Sequence, residues 1–191
     1  LVAAALARIS IVAGDPASLN FIGGAGGAKT LPPSSDREQF ERIVGTLEGV
    51  TAAGDALADG ELLRRALETL ARGARRGSVV VVLSDLLDLG ADAAQRVAAL
   101  AGSGRVLVVV HVLDPDEVSF PFEGTVRLRS LEGERVVETE GSAARERYLA
   151  AIAALRERWD MALGAREARL VAASTADDPV AVVRRVLLKL R

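Results

Sequence analysis

The chain has 191 residues, of which half are hydrophobic but only 3% are aromatic, and its 24 basic and 26 acidic residues leave a net charge of -2. Because nucleic-acid binding depends on a basic surface, this balance provides no electrostatic argument for a nucleic-acid partner. The absence of cysteine excludes disulfides, thiolate metal sites and cysteine nucleophiles.

No stretch approaches the roughly 20 apolar residues of a membrane span, and no signal peptide is visible. The length fits one domain, and a core of Ala, Val, Leu and Ile favours helices packed on a parallel sheet. We therefore predict a single α/β domain over residues 1–191, located in the cytoplasm. Because the chain starts at Leu1, without Met and inside a helical pattern, we expect its natural beginning to lie upstream.

The first third of the chain predicts a helix, a β-hairpin and a second helix. Residues 1–12 are amphipathic, and residues 18–22 and 28–31 are short extended segments around a glycine-rich tip. We expect Pro32 and Pro33 to end the second strand. Ser35 then begins the next helix and, with Glu38, predicts a capping box, in which each side chain bonds a free amide at the helix start.

The middle of the chain alternates helices with apolar runs. Residues 79–83 are five apolar residues, four of them β-branched, which is typical of a strand covered on both faces. Residues 105–113 predict a second fully buried strand. Helices are predicted around residues 62–72 and 91–101, while residues 49–60 are irregular.

The last third predicts a loop at residues 114–122 and a β-hairpin within an insertion at residues 123–140. A long helix follows to about Gly164, then a strand at residues 168–173. The last helix begins at Asp178 and Pro179. Strands that alternate with helices indicate a doubly wound α/β fold with a mainly parallel sheet.

Residues 23–30 (GGAGGAKT) come close to a phosphate-binding loop, with Ala28 in place of the second required Gly. Such a loop must lead directly into a helix whose amides hold the phosphates. Lys29 and Thr30 are instead followed by Leu31 and two prolines, which disfavour a helix there. A nucleotide-binding enzyme that uses Lys29, Thr30 and Asp85 therefore remains the alternative hypothesis.

Three other features have simple structural interpretations. His111 is the only histidine and lies in an apolar strand, so we expect a core residue with one hydrogen bond rather than a catalytic base. Tyr148 and Trp159 share a helical stripe and predict packing. The charged residues between Arg145 and Arg158 predict a solvated helix face.

Asp85 is the most function-like residue, because ligands of open α/β sheets bind beyond the carboxyl ends of the strands. Ser84 and Asp85 follow the apolar run directly, with Asp88 nearby. Carboxylate and hydroxyl oxygens suit Mg²⁺. The alternative is that Asp85 caps the following turn, and this segment alone does not decide between the two.

Several segments together resemble the bacterial domain-of-unknown-function family fifty-eight, whose members have a von Willebrand factor A-like domain. They are LPPSSDREQF (residues 31–40), RRGSVVVVLSDLLD (75–88) and VLVVVHVLDPDEVSFPF (106–122). The resemblance implies a Rossmann-like fold and a non-catalytic protein-interaction module. It also implies a metal-ion-dependent adhesion site and a chaperone or assembly role beside MoxR-type AAA+ ATPases.

Carried over by position, the metal site implied by the resemblance is partial. Asp85 matches the Asp of the third loop, and Ser84 beside it is a further candidate ligand. Asp59 falls in the second loop, where Thr51 or Asp55 are alternatives. The Asp-x-Ser-x-Ser loop of the first, central strand would lie upstream of Leu1. We therefore expect weak or absent Mg²⁺ binding by this chain, although the intact protein would bind the ion.

A missing central strand would leave exposed strand edges, so we expect neighbouring strands to close the gap or chains to associate as a homo-oligomer. The resemblance leaves open whether membrane helices precede Leu1, as they do in some relatives. A third hypothesis is a purely structural domain whose site has decayed.

Overall fold

The computed structural model describes residues 1–22, 28–50, 60–87, 89–129 and 136–190, which form a mixed α/β fold. Its strands make one parallel sheet and two antiparallel pairs, so the predicted α/β class is confirmed. The parallel sheet has the order β3-β4-β7, and β1 pairs with β2 and β5 with β6. The strands are β1 (Ala17–Ile22), β2 (Ala28–Ser34), β3 (Val79–Ser84), β4 (Val106–Leu113), β5 (Thr125–Arg129), β6 (Val136–Glu140) and β7 (Arg169–Ser174).

The helices follow the predicted order along the chain. The described helices are α1 (Val2–Val12), α2 (Arg37–Glu48), α3 (Gly60–Gly73), α4 (Ala93–Ala98) with a 3-10 turn at Ala99–Ala101, α5 (Pro115–Ser119), α6 (Gly141–Gly164) and α7 (Pro179–Leu188). Within these ranges no helix combines the length and the apolar character that crossing a membrane requires.

The parallel sheet is covered on both faces, because successive residues of a strand point to opposite sides. On one side of β4, Leu107 and Val109 belong to a core with Trp159 of α6 and residues of α4. On the other side, Val108 and Val110 pack with α7. Helices on both faces of a parallel sheet are the doubly wound arrangement that the sequence predicts.

β4, and not β3, is the interior strand of the described sheet. β4 has a neighbour on each side and is almost fully buried, as predicted. β3 pairs only with β4 among the described strands, and Val79 and Leu83 are 51% and 38% exposed. The predicted coverage on both faces therefore holds only for the middle of the strand, where Val80 and Val82 pack on one core and Val81 packs on the other. Val79 and Leu83 stay exposed because burial of a β-branched run depends on its neighbours as well as its composition.

The prediction that Pro32 and Pro33 end the second strand is also wrong. β2 continues to Ser34, which lies opposite Ala17. The pairing is irregular between Ala17 and Leu19, at the level of the prolines. A proline is tolerated in an edge strand or at a bulge, where its missing amide leaves no ladder hydrogen bond unmade.

The second helix is confirmed, but the predicted capping box at Ser35 is absent. α2 begins at Arg37 with Asp36 as its N-cap, and no side chain caps the helix. The Asp36 carboxylate instead accepts a hydrogen bond from the Ser34 hydroxyl at 2.7 Å and pairs with Arg42. Glu38 also pairs with Arg42, so it does not return to the helix start.

Candidate functional site

The three parallel strands end at the same edge of the sheet, and each is followed by an acidic residue. We call this the carboxyl edge and define it by Asp85, Asp114 and Asp177, which follow β3, β4 and β7. Asp85 lies at the predicted position, directly after Ser84, and its side chain is exposed. The carboxyl ends of parallel strands are where α/β proteins bind their ligands.

Asp85 projects from a tight turn that two side chains stabilise. The Leu86 amide donates to the Ser84 hydroxyl at 3.0 Å, and the Leu87 amide donates to the Asp85 carboxylate at 3.3 Å. Leu86 adopts a left-handed φ of +62° and is only 1% exposed, so burial of its side chain holds an unfavourable backbone conformation. Asp85 therefore does cap the turn, while its carboxylate remains at the surface. We call residues 84–87 the Asp85 turn.

The segment after β4 is a short helix, and the predicted loop at residues 114–122 is wrong in this respect. Asp114 accepts from the Asp116 amide, and Glu117 accepts from the Asp114 amide, which makes a full capping box. Asp114 also accepts a hydrogen bond from the Thr175 hydroxyl at 3.1 Å. The Asp114 carboxylate thus links the ends of β4 and β7, and its hydrogen bonds have a structural role.

The acidic residues after β7 are likewise engaged. Asp177 accepts a hydrogen bond from the Ser174 amide and forms an ion pair with Arg185. Hydrogen bonding to Arg185 lowers the pKa of Asp177. Asp178 caps α7 by accepting from two amides, as its position before Pro179 predicts. Within the described ranges the Asp85 carboxylate accepts one hydrogen bond, at 3.3 Å, so it is more available than the carboxylates of Asp114, Asp177 or Asp178.

His111 lies beneath the carboxyl edge, in β4, opposite Ser84 on one side and Ala172 on the other. It is 1% exposed, and its Nδ1 accepts a 3.4 Å hydrogen bond from Nε of Arg156. The prediction of a core histidine with one hydrogen bond is confirmed. Its other ring nitrogen, Nε2, is buried without a hydrogen-bond partner among the described residues.

Burial is the largest cause that lowers the pKa of His111, and the charge of Arg156 lowers it further. The backbone and the charge of Asp85 act in the opposite direction. The strand register agrees with this, because it places Ser84, the residue before Asp85, directly opposite His111. The buried His111 side chain and the turn that presents the exposed Asp85 carboxylate therefore lie on adjacent strands at the same level of the sheet.

Arg156 is the residue that sequence reasoning missed. The prediction of a solvated face for residues 145–158 is wrong at this position, because Arg156 is half-buried against His111. The available signal was its spacing, since Arg156 lies four residues after the buried Ile152 and one after Leu155 on the predicted stripe. Tyr148 and Trp159 do pack on that stripe as predicted.

The described residues do not assemble a complete metal site. No group of three or more Asp, Glu, His or Cys side chains suited to an ion occurs within the ranges given above. Ser84 and Asp85 are adjacent at the carboxyl edge, as predicted. Asp59, with its alternatives Thr51 and Asp55, and also Asp88, lies outside the described residues.

The nucleotide-binding alternative finds no support in the described part of the chain. Lys29 and Thr30 lie within β2, opposite Phe21 and Asn20 of β1. The Thr30 hydroxyl donates to the Asn20 side chain at 3.2 Å. A phosphate loop requires these two residue types at the start of a helix, and here they occupy a strand.

Comparison with known proteins identifies one family. The family model described as "Protein of unknown function DUF58" matches residues 1–158. None of the curated proteins matches the sequence. The match spans β1 to β6 and the greater part of α6, and it includes the segments on which the resemblance rests, whereas β7 and α7 lie beyond it.

Two solved structures align with nearly the whole chain. One is an aerotolerance-related membrane protein from Bacteroides fragilis NCTC 9343 with multiple mutations to serines, at 18% identity and a TM-score of 0.56, covering 99% of this chain and 87% of that one. The other is the conserved hypothetical protein BatB from Bacteroides thetaiotaomicron, at 15% identity and a TM-score of 0.49, covering 98% and 86%. At these identities the first structure supports the fold alone.

Proposed function

Because the chain belongs to the family of proteins of unknown function DUF58, we propose that it is a non-catalytic module that binds a protein partner at the carboxyl edge, through Asp85. The observation that carries the proposal is the Asp85 turn, which presents an exposed carboxylate on a well-supported backbone. Recognition benefits from such pre-organisation, since little conformational entropy is lost on binding.

The surroundings of Asp85 support binding rather than turnover. A catalytic carboxylate is usually accompanied by a nucleophile or a second acid–base group within hydrogen-bond reach. The Ser84 hydroxyl beside it accepts a hydrogen bond within the turn, and His111 is buried with one ring nitrogen bonded to Arg156. The other carboxylates considered at this edge mainly cap helices or pair with arginine.

The partner that we propose is a MoxR-type AAA+ ATPase, and the role is in chaperoning or assembly. This choice comes from the von Willebrand A-like resemblance, in which an acidic residue of the partner meets the module at this edge of the sheet. A divalent cation belongs to the proposal on the same basis, with Ser84, Asp85 and Asp59 as its residues here. The described residues alone do not make a full ligand set, so we expect Mg²⁺ to bind this chain weakly when no partner is present.

The experiment compares Asp85→Asn with Asp160→Asn, which removes another exposed carboxylate, on α6. Binding of each variant to a purified MoxR-type AAA+ ATPase from the same organism is measured by biolayer interferometry, with Mg²⁺ and with EDTA. We expect Asp85→Asn to weaken binding by at least about tenfold, equivalent to ~1.4 kcal/mol, because the edge loses its available charge.

The control variant Asp160→Asn should bind like the unmodified chain. Equal binding by all three proteins would contradict a role for Asp85 and favour the purely structural domain. Equal affinity in Mg²⁺ and EDTA, with the Asp85 effect retained, would remove the cation from the proposal but leave the docking edge in place.

A further inference from the structure

We propose that His111 and Arg156 are positioning residues for the Asp85 turn, an inference that rests on the proposed docking role of Asp85. Arg156 fixes the imidazole so that its Nε2 proton faces the main chain at Asp85, and this contact supports the turn from below. His111 would act through the backbone of Asp85 and would not touch the partner.

The first step is the identity of the protonated ring nitrogen. Arg156 can only donate hydrogen bonds, so the nitrogen that it contacts, Nδ1, must carry a lone pair. In a neutral imidazole the proton then resides on Nε2. The 3.4 Å contact therefore selects one tautomer of His111 and leaves Nε2 as a donor.

The second step is the acceptor for that donor. Nε2 is buried and has no partner of standard geometry within the described residues, which is uncommon for a buried polar atom. The strand register places His111 directly opposite Ser84, the residue that begins the Asp85 turn. We infer that the acceptor for Nε2 is the Asp85 main chain, which follows Ser84 directly at this level of the sheet.

The third step is the need for such support. Leu86 holds a left-handed backbone conformation, which costs free energy for a residue with a side chain. The hydroxyl of Ser84 and the carboxylate of Asp85 stabilise the turn from within. A hydrogen bond from His111 would also connect the turn to β4, which is the most buried strand of the sheet.

The tautomer can be measured directly, because His111 is the only histidine in the chain. Two-bond nitrogen–proton NMR correlation of the ¹⁵N-labelled protein reports which ring nitrogen carries the proton. We expect the proton on Nε2 in the unmodified chain and a mixture of tautomers in Arg156→Met. A proton on Nδ1 in the unmodified chain would overturn the inference.

The positioning role is tested with two replacements of the histidine. His111→Met removes the donor, whereas His111→Gln retains an amide donor near the position of Nε2. We expect exchange of the Leu86 amide to be roughly three- to tenfold faster in His111→Met and close to the unmodified rate in His111→Gln. Equal exchange in both variants would overturn the role, because a purely packing residue gives no rescue by the donor.

Partner binding separates this inference from the proposed function. If the unmodified chain binds the ATPase, we expect His111→Met to weaken binding by about the same three- to tenfold factor, with His111→Gln restoring it. If the ATPase does not bind at all, the proposed function fails, and the tautomer and the Leu86 exchange rates still decide whether His111 positions the turn.

Discussion

The folded protein disfavours protonation of His111, and its stability therefore depends on pH. Burial, and then the charge of Arg156, lower its pKa below the ordinary value of 6.5, so the folded chain favours the neutral imidazole. A histidine with a depressed folded pKa contributes stability that is present above its unfolded pKa and is lost as the pH falls through the folded pKa. The consequence is a loss of stability that begins at mildly acidic pH.

We expect the free energy of unfolding to decrease as the pH is lowered from about 6.5 toward 5, as measured by urea denaturation at each pH. The same decrease should be smaller in His111→Gln, which does not titrate. The carboxyls whose pKa values are lowered, such as Asp36 and Asp177, affect the free energy of unfolding only at lower pH. An identical pH dependence in the two proteins would show that His111 carries no such linkage.

For single residues, the sequence was informative where the place of a residue in a strand indicates its role. The place of Asp85 after an apolar run predicted the carboxyl edge, and the lone His111 in an apolar strand predicted a core residue. The contact between His111 and Arg156 joins residues 45 positions apart. Nothing in the local pattern of charge distinguishes such an arginine from its solvated neighbours.

The junction between β6 and α6 is crowded at Gly141. A Cβ atom added there would lie 2.5 Å from the carbonyl oxygen of Phe122, whereas one added at Gly164, in the same helix, would meet nothing within 4 Å. These two glycines therefore form a matched pair for testing how α6 packs on the segment that precedes β5.

We expect Gly141→Ala to destabilise the protein by about 1–3 kcal/mol, because the clash is with backbone that cannot rotate away. Gly164→Ala should stabilise it by up to about 1 kcal/mol through helix propensity. Thermal unfolding of both variants provides the measurement. A neutral effect of Gly141→Ala would mean that the entry of α6 differs from the one described here.

At the scale of elements, periodicity was sufficient for most helices and strands, while their ends depended on contacts. The order of the predicted elements agrees with the structure. The predictions were wrong where tertiary contacts overrode a local sequence preference. β2 continues through Pro32 and Pro33 at a sheet edge, and Asp36 rather than Ser35 precedes α2. Pro115 begins the short α5, since the capping box at Asp114 supports a single turn of helix after β4.

β3 is an edge strand of the described parallel sheet, and it has exposed apolar side chains. Val79 and Leu83 are among them, and the strand contains no charged residue or proline to discourage pairing. Exposed edges of this kind tend to pair with other strands. The sequence could not reveal this edge, because an apolar run predicts a covered strand whichever position the strand takes in the sheet.

We expect the purified chain to associate at micromolar concentrations, as seen by static light scattering, because pairing at the β3 edge covers apolar surface. Leu83→Lys should shift the chain toward the monomer by placing a charge at that edge. Val180→Lys, which alters an exposed valine on α7, should leave association unchanged. A monomeric unmodified chain of ordinary stability would contradict this expectation.

Binding of a protein partner at the carboxyl edge can be mapped on the whole molecule. Hydrogen–deuterium exchange of the chain with and without the MoxR-type ATPase tests it most directly, since it maps the bound surface without altering a residue. We expect slower exchange at residues 84–87, 114–119 and 174–178 when the ATPase is bound, with little change in the β5–β6 hairpin. Protection confined to that hairpin, or to the opposite edge of the sheet, would show that the partner does not bind at the carboxyl edge.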